Sequence, residues 1–133
     1  MIFVDTSFWF ALRTQRDEHH HEARELLLRY GQRGFVTSNH VRGETWTLLC
    51  ARNGHTAAAG YLNGLAASPR IRVDHVNERL EQEALDWLLS HDEYVYSFVD
   101  ATSFVLMREL GISEALTFDR DFAAAGFVVP RAL

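Results

Sequence analysis

Short continuous apolar runs alternate with amphipathic segments along most of the chain. The runs are typical of buried parallel strands, and apolar residues spaced three and four apart are typical of helices. The predicted strands cover residues 1–4, 35–37, 71–76, 115–118 and 127–129, with helical segments between them. Because strands alternate with helices, we predict one α/β domain over residues 1–133, a three-layer α/β/α sandwich around a central sheet of four or five parallel strands. The alternating pattern of residues 71–76 places that strand nearer an edge of the sheet.

The segment 97–111 predicts a single helix that is apolar on nearly every side and is therefore buried. Ser97 is the expected N-cap and Gly111 the expected left-handed end. Asp100, in the first turn, is the exception to the apolar pattern. A carboxylate that enters a core must be paired or must hold a metal. Taken alone, Asp100 fits a capping or ion-pairing role equally well.

Other acidic residues are expected near the same edge of the sheet. Asp5 ends the first predicted strand, Asp119 ends the fourth, and Glu44 falls early on a helix. Strand carboxyl ends and the N-termini of the following helices share one edge of a parallel sheet. Four carboxylates in a partly buried site need a positive partner. Mg²⁺ or Mn²⁺ suits a set of ligands made only of oxygen atoms. Taken singly, Asp5 also fits the role of a helix cap, and Glu44 also fits a surface position.

Composition removes several functions. All 13 basic residues are arginines, which excludes a P-loop and Schiff-base chemistry because both need a lysine. The net charge of −5 argues against a simple electrostatic nucleic-acid binder, but not against a nuclease whose acids are neutralised by divalent ions. Cys50 has no partner for an internal disulfide, and no apolar run is long enough to span a membrane. We therefore expect a cytoplasmic protein.

Four short motifs, in this order and over nearly the whole chain, resemble the PIN domain family and within it the VapC-type toxin ribonucleases of VapBC toxin–antitoxin systems. The motifs are Val-Asp-Thr-Ser at 4–7, Glu-Thr at 44–45, Ser-Phe-Val-Asp-Ala at 97–101 and Leu-Thr-Phe-Asp-Arg-Asp-Phe at 116–122. Each motif is weak by itself, and the ordered set is specific.

The resemblance implies an endoribonuclease that hydrolyses RNA phosphodiester bonds with Mg²⁺ or Mn²⁺. By position, the catalytic and metal-binding acids would be Asp5, Glu44, Asp100 and Asp119. Asp121 is an alternative fourth acid, and we favour Asp119 because it follows the strand directly, with Asp121 in a supporting role. Thr6 matches the small hydroxyl residue of the family, and Thr117 is placed to hold the fourth acid by a hydrogen bond. Glu44 or Asp100 is open to a role as general base instead of metal ligand.

The expected partners follow from the same resemblance. The candidates for binding RNA phosphates are arginines in or near loops at the functional edge, namely Arg13, Arg16, Arg42 and Arg120. The resemblance also implies a homodimer and a small antitoxin that inserts a helix. Its apolar face would meet a groove lined by Phe8, Trp9, Phe10 and Trp46. Two alternatives stay open: a PIN nuclease of RNA processing without an antitoxin, and a PIN-like binding module without catalysis.

Overall fold

A computed structural model describes residues 1–132 of the chain. Its sheet has four parallel strands in the order β3-β2-β1-β4. The strands are β1 (Ile2–Val4), β2 (Phe35–Ser38), β3 (Ile71–Asp74) and β4 (Ala115–Leu116). Phe3 of the central strand pairs with Val36 on one side and with Ala115 on the other. The parallel sheet and the edge position of β3 confirm the sequence predictions.

The helices form two groups with the sheet between them. The first group packs together and comprises α1 (Thr6–Arg13), α2 (His20–Tyr30), α3 (Asn39–Asn53) and α4 (His55–Ala67). The second group comprises α5 (Glu78–Ser90), α6 (Phe98–Leu110) and α7 (Asp121–Ala124). This arrangement is the predicted three-layer sandwich. Within residues 1–132, no helix combines the length and the apolar character needed to cross a membrane.

Helix α6 is the buried helix that the sequence predicts. Every residue from Asp100 to Met107 is buried. The Ser97 hydroxyl accepts the Asp100 backbone N–H at 3.0 Å, and Gly111 ends the helix in the left-handed region at φ 69°. Inside the core the Phe104 ring lies 5.0 Å from that of Phe122. The cap, the buried face and the end of α6 are thus as predicted.

The predicted last strand, residues 127–129, is wrong. Val128 forms a single parallel bridge with Glu114, and within residues 1–132 the pairing does not extend into a ladder. Pro130 has no N–H with which to extend the pairing, and β4 itself has only two residues to pair with. The predicted fourth strand, 115–118, is also too long, because Thr117 and the Phe118 N–H bond to side chains of the site described below.

Candidate active site

A cavity of about 490 Å³ lies at the edge where β1 and β4 end and α1 and α6 begin. Five acidic side chains line it: Asp5, Glu44, Asp100, Asp119 and Asp121. The set includes all four acids that the sequence predicts for the site, together with the alternative fourth acid. The topology explains this convergence, since parallel strands direct their carboxyl ends to one edge. We call this space the acidic cavity.

Three of the acids form a tight cluster. Asp100, Asp119 and Asp121 each offer a carboxylate oxygen, and these oxygens all lie within 4.8 Å of one another. Asp100 is buried, Asp121 half-buried and Asp119 exposed. The Asp121 backbone N–H donates to the Asp119 carboxylate at 3.2 Å, which ties the start of α7 to the preceding loop. Asp121 therefore belongs to the cluster as much as Asp119 does.

The electrostatics of the cluster favour a cation. Burial, followed by the neighbouring Asp100, raises the pKa of Asp121 to about 6. Burial also raises the pKa of Asp100 and of Asp119, and nearby carboxylates add to both shifts. Several negative charges at this spacing oppose full ionisation unless a positive charge enters. Because all the donors are carboxylate oxygens, the set fits a hard divalent cation better than a soft metal.

Asp5 is held by a separate set of bonds. Its carboxylate caps α1, and its Oδ2 accepts from the Ser7 hydroxyl at 3.0 Å and from the Thr117 hydroxyl at 2.9 Å. Burial raises the pKa of Asp5 to about 6, although these hydrogen bonds act in the opposite direction. The bonds from Ser7 and Thr117 converge on Oδ2 of this carboxylate.

The hydroxyl residue that contacts the first acid is Ser7 and not the predicted Thr6. The Ser7 oxygen also accepts the Phe118 backbone N–H at 2.9 Å. Thr6 lines the cavity, but its hydroxyl has no hydrogen-bond partner in the described part of the chain. The available signal was the position of Ser7 in the first turn of a helix capped by Asp5, where a side chain can meet the cap.

Thr117 is expected to hold the fourth acid, Asp119, by a hydrogen bond, and it does so through the main chain of Asp119. Its hydroxyl oxygen accepts the backbone N–H of Asp119 at 3.0 Å while it donates to Asp5. It thus fixes the main chain that carries Asp119 and does not bond to the Asp119 carboxylate. One hydroxyl thereby couples the acid after β1 to the loop after β4.

The remaining predicted residues lie at the rim of the acidic cavity or away from it. Glu44 is exposed on α3 and reaches the cavity without joining the three-acid cluster. None of the four arginines predicted to contact RNA, Arg13, Arg16, Arg42 and Arg120, is among the residues that line the cavity. The Arg13 guanidinium lies instead on α4, where it donates to the Gly60 carbonyl at 3.1 Å.

The predicted aromatic groove is divided between the core and a second cavity. Phe8 is fully buried and stacks on Phe118 with ring centroids 5.7 Å apart, so it is not open to a partner. Trp9, Tyr61 and Leu65, all buried, line an apolar cavity of about 360 Å³ beside α1, α2 and α4. Phe10 and Trp46 are half-buried.

Comparisons with known proteins agree with this geometry. The PIN domain model matches residues 2–128. Proteins named 23S rRNA-specific endonuclease VapC20, from two strains of Mycobacterium tuberculosis, are 53% identical over 131 residues, which is 98% of this chain and 98% of theirs. A crystal structure of M. tuberculosis VapC20, described as a sarcin-ricin loop cleaving toxin, has a TM-score of 0.93 and 51% identity over 99% of this chain and 100% of that one. The structure of VapBC2 from Rickettsia felis, bound to a promoter DNA fragment, shares only the fold, with a TM-score of 0.73 and 10% identity over 98% of each chain.

Proposed function

The chain belongs to the PIN domain family, and we propose that it is an endoribonuclease of the VapC toxin type that works with Mg²⁺ or Mn²⁺. The observation that carries the proposal is the convergence of five carboxylates on one cavity, three of them with oxygens within 4.8 Å. The relatives named as endonucleases, which match nearly the full length of the chain, support the same activity.

Asp5, Asp100 and Asp119, with Asp121 beside them, would hold the divalent ion. When bound, such an ion lowers the pKa of water and stabilises negative charge on a phosphate. Glu44 and Asp119 are the exposed acids at the cavity, and of these two Glu44 lies outside the three-acid cluster, so its carboxylate is the group best placed to accept a proton. Hydrolysis in line with the 3′-oxygen as leaving group would give a 5′-phosphate and a 3′-hydroxyl.

The RNA we propose as substrate is the sarcin-ricin loop of 23S ribosomal RNA. Relatives with 53% and 51% identity are named for cutting 23S rRNA and this loop. Both identities extend over nearly all of the chain, including the segments that carry the acids. A shared target is therefore a more specific proposal than ribonuclease activity in general.

Further proposals concern assembly. We infer that residues 1–133 form one domain in the cytoplasm and that the protein is a homodimer inhibited by a small antitoxin. Of the four aromatic residues expected to line the antitoxin groove, Phe8 and Trp9 are buried. We therefore assign the contact with an apolar face of the antitoxin helix to the half-buried Phe10 and Trp46.

Cleavage of a sarcin-ricin loop hairpin and of unrelated hairpins tests the activity. The wild-type protein and Asp100→Asn are compared in Mg²⁺, in Mn²⁺ and in EDTA. We expect metal-dependent cutting by the wild type, a loss of several orders of magnitude in Asp100→Asn, and 5′-phosphate product ends. Metal binding without cleavage of any RNA would instead favour a binding module, and full activity in Asp100→Asn would exclude the acidic cavity as the site.

A further inference from the structure

A second polar cavity has arginines as its only charged lining residues. It has a volume of about 490 Å³ and lies where the loop between α1 and α2 meets the turn between α3 and α4. Arg13, Arg16 and Arg52 line it, together with the amide side chains of Gln15 and Asn53. We call it the arginine pocket.

None of the three arginines has an acidic partner among the described residues. Within residues 1–132, no carboxylate lies within 4.0 Å of Arg13, Arg16 or Arg52. Four other arginines form ion pairs, namely Arg33, Arg72, Arg79 and Arg131. Converging positive charges in a chain of net charge −5 repel one another unless an anion joins them. Guanidinium groups match phosphate oxygens in charge and in geometry.

Two of the three arginine side chains make hydrogen bonds to neighbouring segments. Arg13 donates to the Gly60 carbonyl, and a Cβ at Gly64 would overlap its guanidinium, so a glycine at this position makes room for the side chain. Arg16 donates to the Asn53 side chain and to the Arg52 carbonyl, each at 3.4 Å. The Arg52 side chain makes no hydrogen bond among the described residues. The Arg13 guanidinium, which has the one hydrogen bond of ordinary length among these contacts, is the group that loses least entropy when it binds an anion.

The Asn53 side chain fixes the two chain segments relative to each other. Its Nδ2 donates to the Thr14 hydroxyl at 2.9 Å, which links the end of α3 to the residue after α1. A hydrogen bond therefore joins the two segments that form the pocket, the end of α3 and the loop after α1.

The arginine pocket is connected to the acidic cavity by two packed helices. Asp5 caps the first end of α1 and Arg13 is its last residue, so the eight-residue helix separates them by about 12 Å. On α3, Glu44 lies at the acidic cavity and Arg52 at the pocket, again about 12 Å apart along the helix. α1 and α3 are in contact. One RNA strand can therefore reach both sites with a few nucleotides.

We propose that the arginine pocket binds a backbone phosphate of the RNA whose scissile bond lies at the acidic cavity. This inference rests on the proposed function, because it takes RNA as the ligand. The pocket supplies affinity and register but no chemistry, since its residues lie away from the reacting phosphate. It therefore contributes to substrates long enough to reach it and not to the hydrolysis step.

The test uses the double variant Arg16→Gln/Arg52→Gln and the control Arg29→Gln, an exposed arginine on α2 that does not line the pocket. Binding of a labelled sarcin-ricin loop hairpin is measured in the Asp100→Asn background with Mg²⁺ over a series of salt concentrations. We expect the Kd to rise about tenfold at low salt and the slope of log K against log salt to fall by about 0.7 to 0.9 for each phosphate that the variant no longer neutralises. In the active protein, KM should rise with kcat unchanged.

Equal affinity and equal salt slope in the double variant and the control would overturn the inference, even if the wild type cleaves RNA. A wild type that cleaves no RNA, combined with the expected loss of binding, would reject the proposed function and retain the pocket. Loss of affinity for the antitoxin alone, with RNA binding unchanged, would assign the pocket to a protein partner and overturn the RNA assignment. Thermal unfolding of each variant confirms that the fold is intact.

Discussion

The hydroxyl oxygens of Ser7 and Thr117 lie 3.1 Å apart although 110 positions separate them in the chain. Both bond to Oδ2 of Asp5. Each also accepts a backbone N–H of the segment after β4, Ser7 from Phe118 and Thr117 from Asp119. One pair of hydroxyl groups therefore positions both Asp5 and the loop that carries Asp119. A change in either hydroxyl should alter the geometry of the metal ligands.

Thr117→Val keeps the shape of the side chain and removes its hydroxyl. Asp5 loses one donor and the Asp119 N–H loses its acceptor. Because residues that orient metal ligands typically contribute 10- to 100-fold to metal affinity, we expect a loss of about this size in Mn²⁺ affinity and in kcat/KM. Calorimetric titration and RNA cleavage measure the two effects.

Thr47→Val is the matched control for this substitution. Thr47 is exposed on α3, and its hydroxyl bonds only within its own helix, to the Gly43 carbonyl. Metal affinity and cleavage should be unchanged in this variant. If Thr117→Val bound metal as tightly as Thr47→Val does, the hydroxyl pair would have no positioning role.

Asp121→Asn should weaken metal binding and stabilise the metal-free protein. The substitution removes one of three carboxylates whose oxygens lie within 4.8 Å, and with it a repulsion that burial strengthens. We expect a higher Tm than wild type in EDTA and a smaller rise in Tm when Mn²⁺ is added. Differential scanning fluorimetry with and without metal measures both quantities.

Asp119→Asn and Asp92→Asn complete this comparison. Asp119 is in the same cluster but exposed, so its substitution should give a smaller gain in Tm in EDTA and a similar loss of metal response. Asp92 is exposed and lies outside the cluster. In Asp92→Asn the Tm in EDTA and the Tm with Mn²⁺ should both equal those of the wild type. A full metal response in Asp121→Asn would return the role of fourth acid to Asp119 alone.

The elements that sequence patterns predict well are those with strong periodicity or complete burial. Helix α6 is buried from Asp100 to Met107, and its cap and glycine end are local signals, so its bounds are correct. Residues 127–129 have the composition of a strand, but pairing depends on a partner strand, and β4 has only two residues. A local pattern does not contain the length of the neighbouring strand.

In the site, too, features that depend on local signals are predictable from the sequence, and features that depend on contacts between distant segments are not. Acids at strand ends are visible in the sequence because the parallel topology brings those ends together. The role of Ser7 depends on a contact with Thr117, which lies far along the chain, and the arginine pocket depends on how two loops meet. The sequence predicts Arg13 in or near a loop at the functional edge, whereas it is the last residue of α1, lies against α4 and borders the arginine pocket instead of the acidic cavity.

Glu22 anchors the end of the chain and should make stability depend on pH. Arg131 donates two hydrogen bonds of 2.8 Å to its carboxylate, and these lower the pKa of Glu22 to about 2. Since the pKa in the folded state is below the ordinary value of 4.5, the unfolded chain takes up the proton first on acidification. The contribution is therefore complete above about pH 4.5 and is lost as the pH falls towards 2.

Urea unfolding of wild type and Glu22→Gln across this range measures the contribution. We expect a difference of about 1 kcal/mol at neutral pH, because the Arg131 side chain is 47% exposed and water screens the pair. The difference should shrink below pH 4.5. Glu93→Gln, at an exposed position, should show neither effect. A difference independent of pH would mean that the ion pair does not act through the charge of Glu22.

Gly64→Ala tests whether the space at this glycine is occupied by the Arg13 guanidinium. Alanine inside a helix is worth about 1 kcal/mol over glycine. At Gly64 the new methyl group would overlap the guanidinium, which is the end of an exposed side chain and must shift away from the Gly60 carbonyl. The weaker bond offsets part of the gain in helix propensity, so the free energy of unfolding should rise by less than ~1 kcal/mol, while RNA affinity falls as the guanidinium is displaced.

In an Arg13→Ala background there is no guanidinium for the new methyl group to overlap. Gly64→Ala should then stabilise the protein by the full ~1 kcal/mol, and RNA binding should not change further. Gly43→Ala, at a position on α3 with no atom within 4 Å of the new Cβ, should give the same gain whether or not Arg13 is present. Urea unfolding measures both double-mutant cycles, the one that combines Arg13→Ala with Gly64→Ala and the one that combines Arg13→Ala with Gly43→Ala. Only the first should show coupling between its two substitutions. A gain of ~1 kcal/mol from Gly64→Ala with Arg13 in place would show that the guanidinium is not seated on α4, and a wall of the arginine pocket would then be missing.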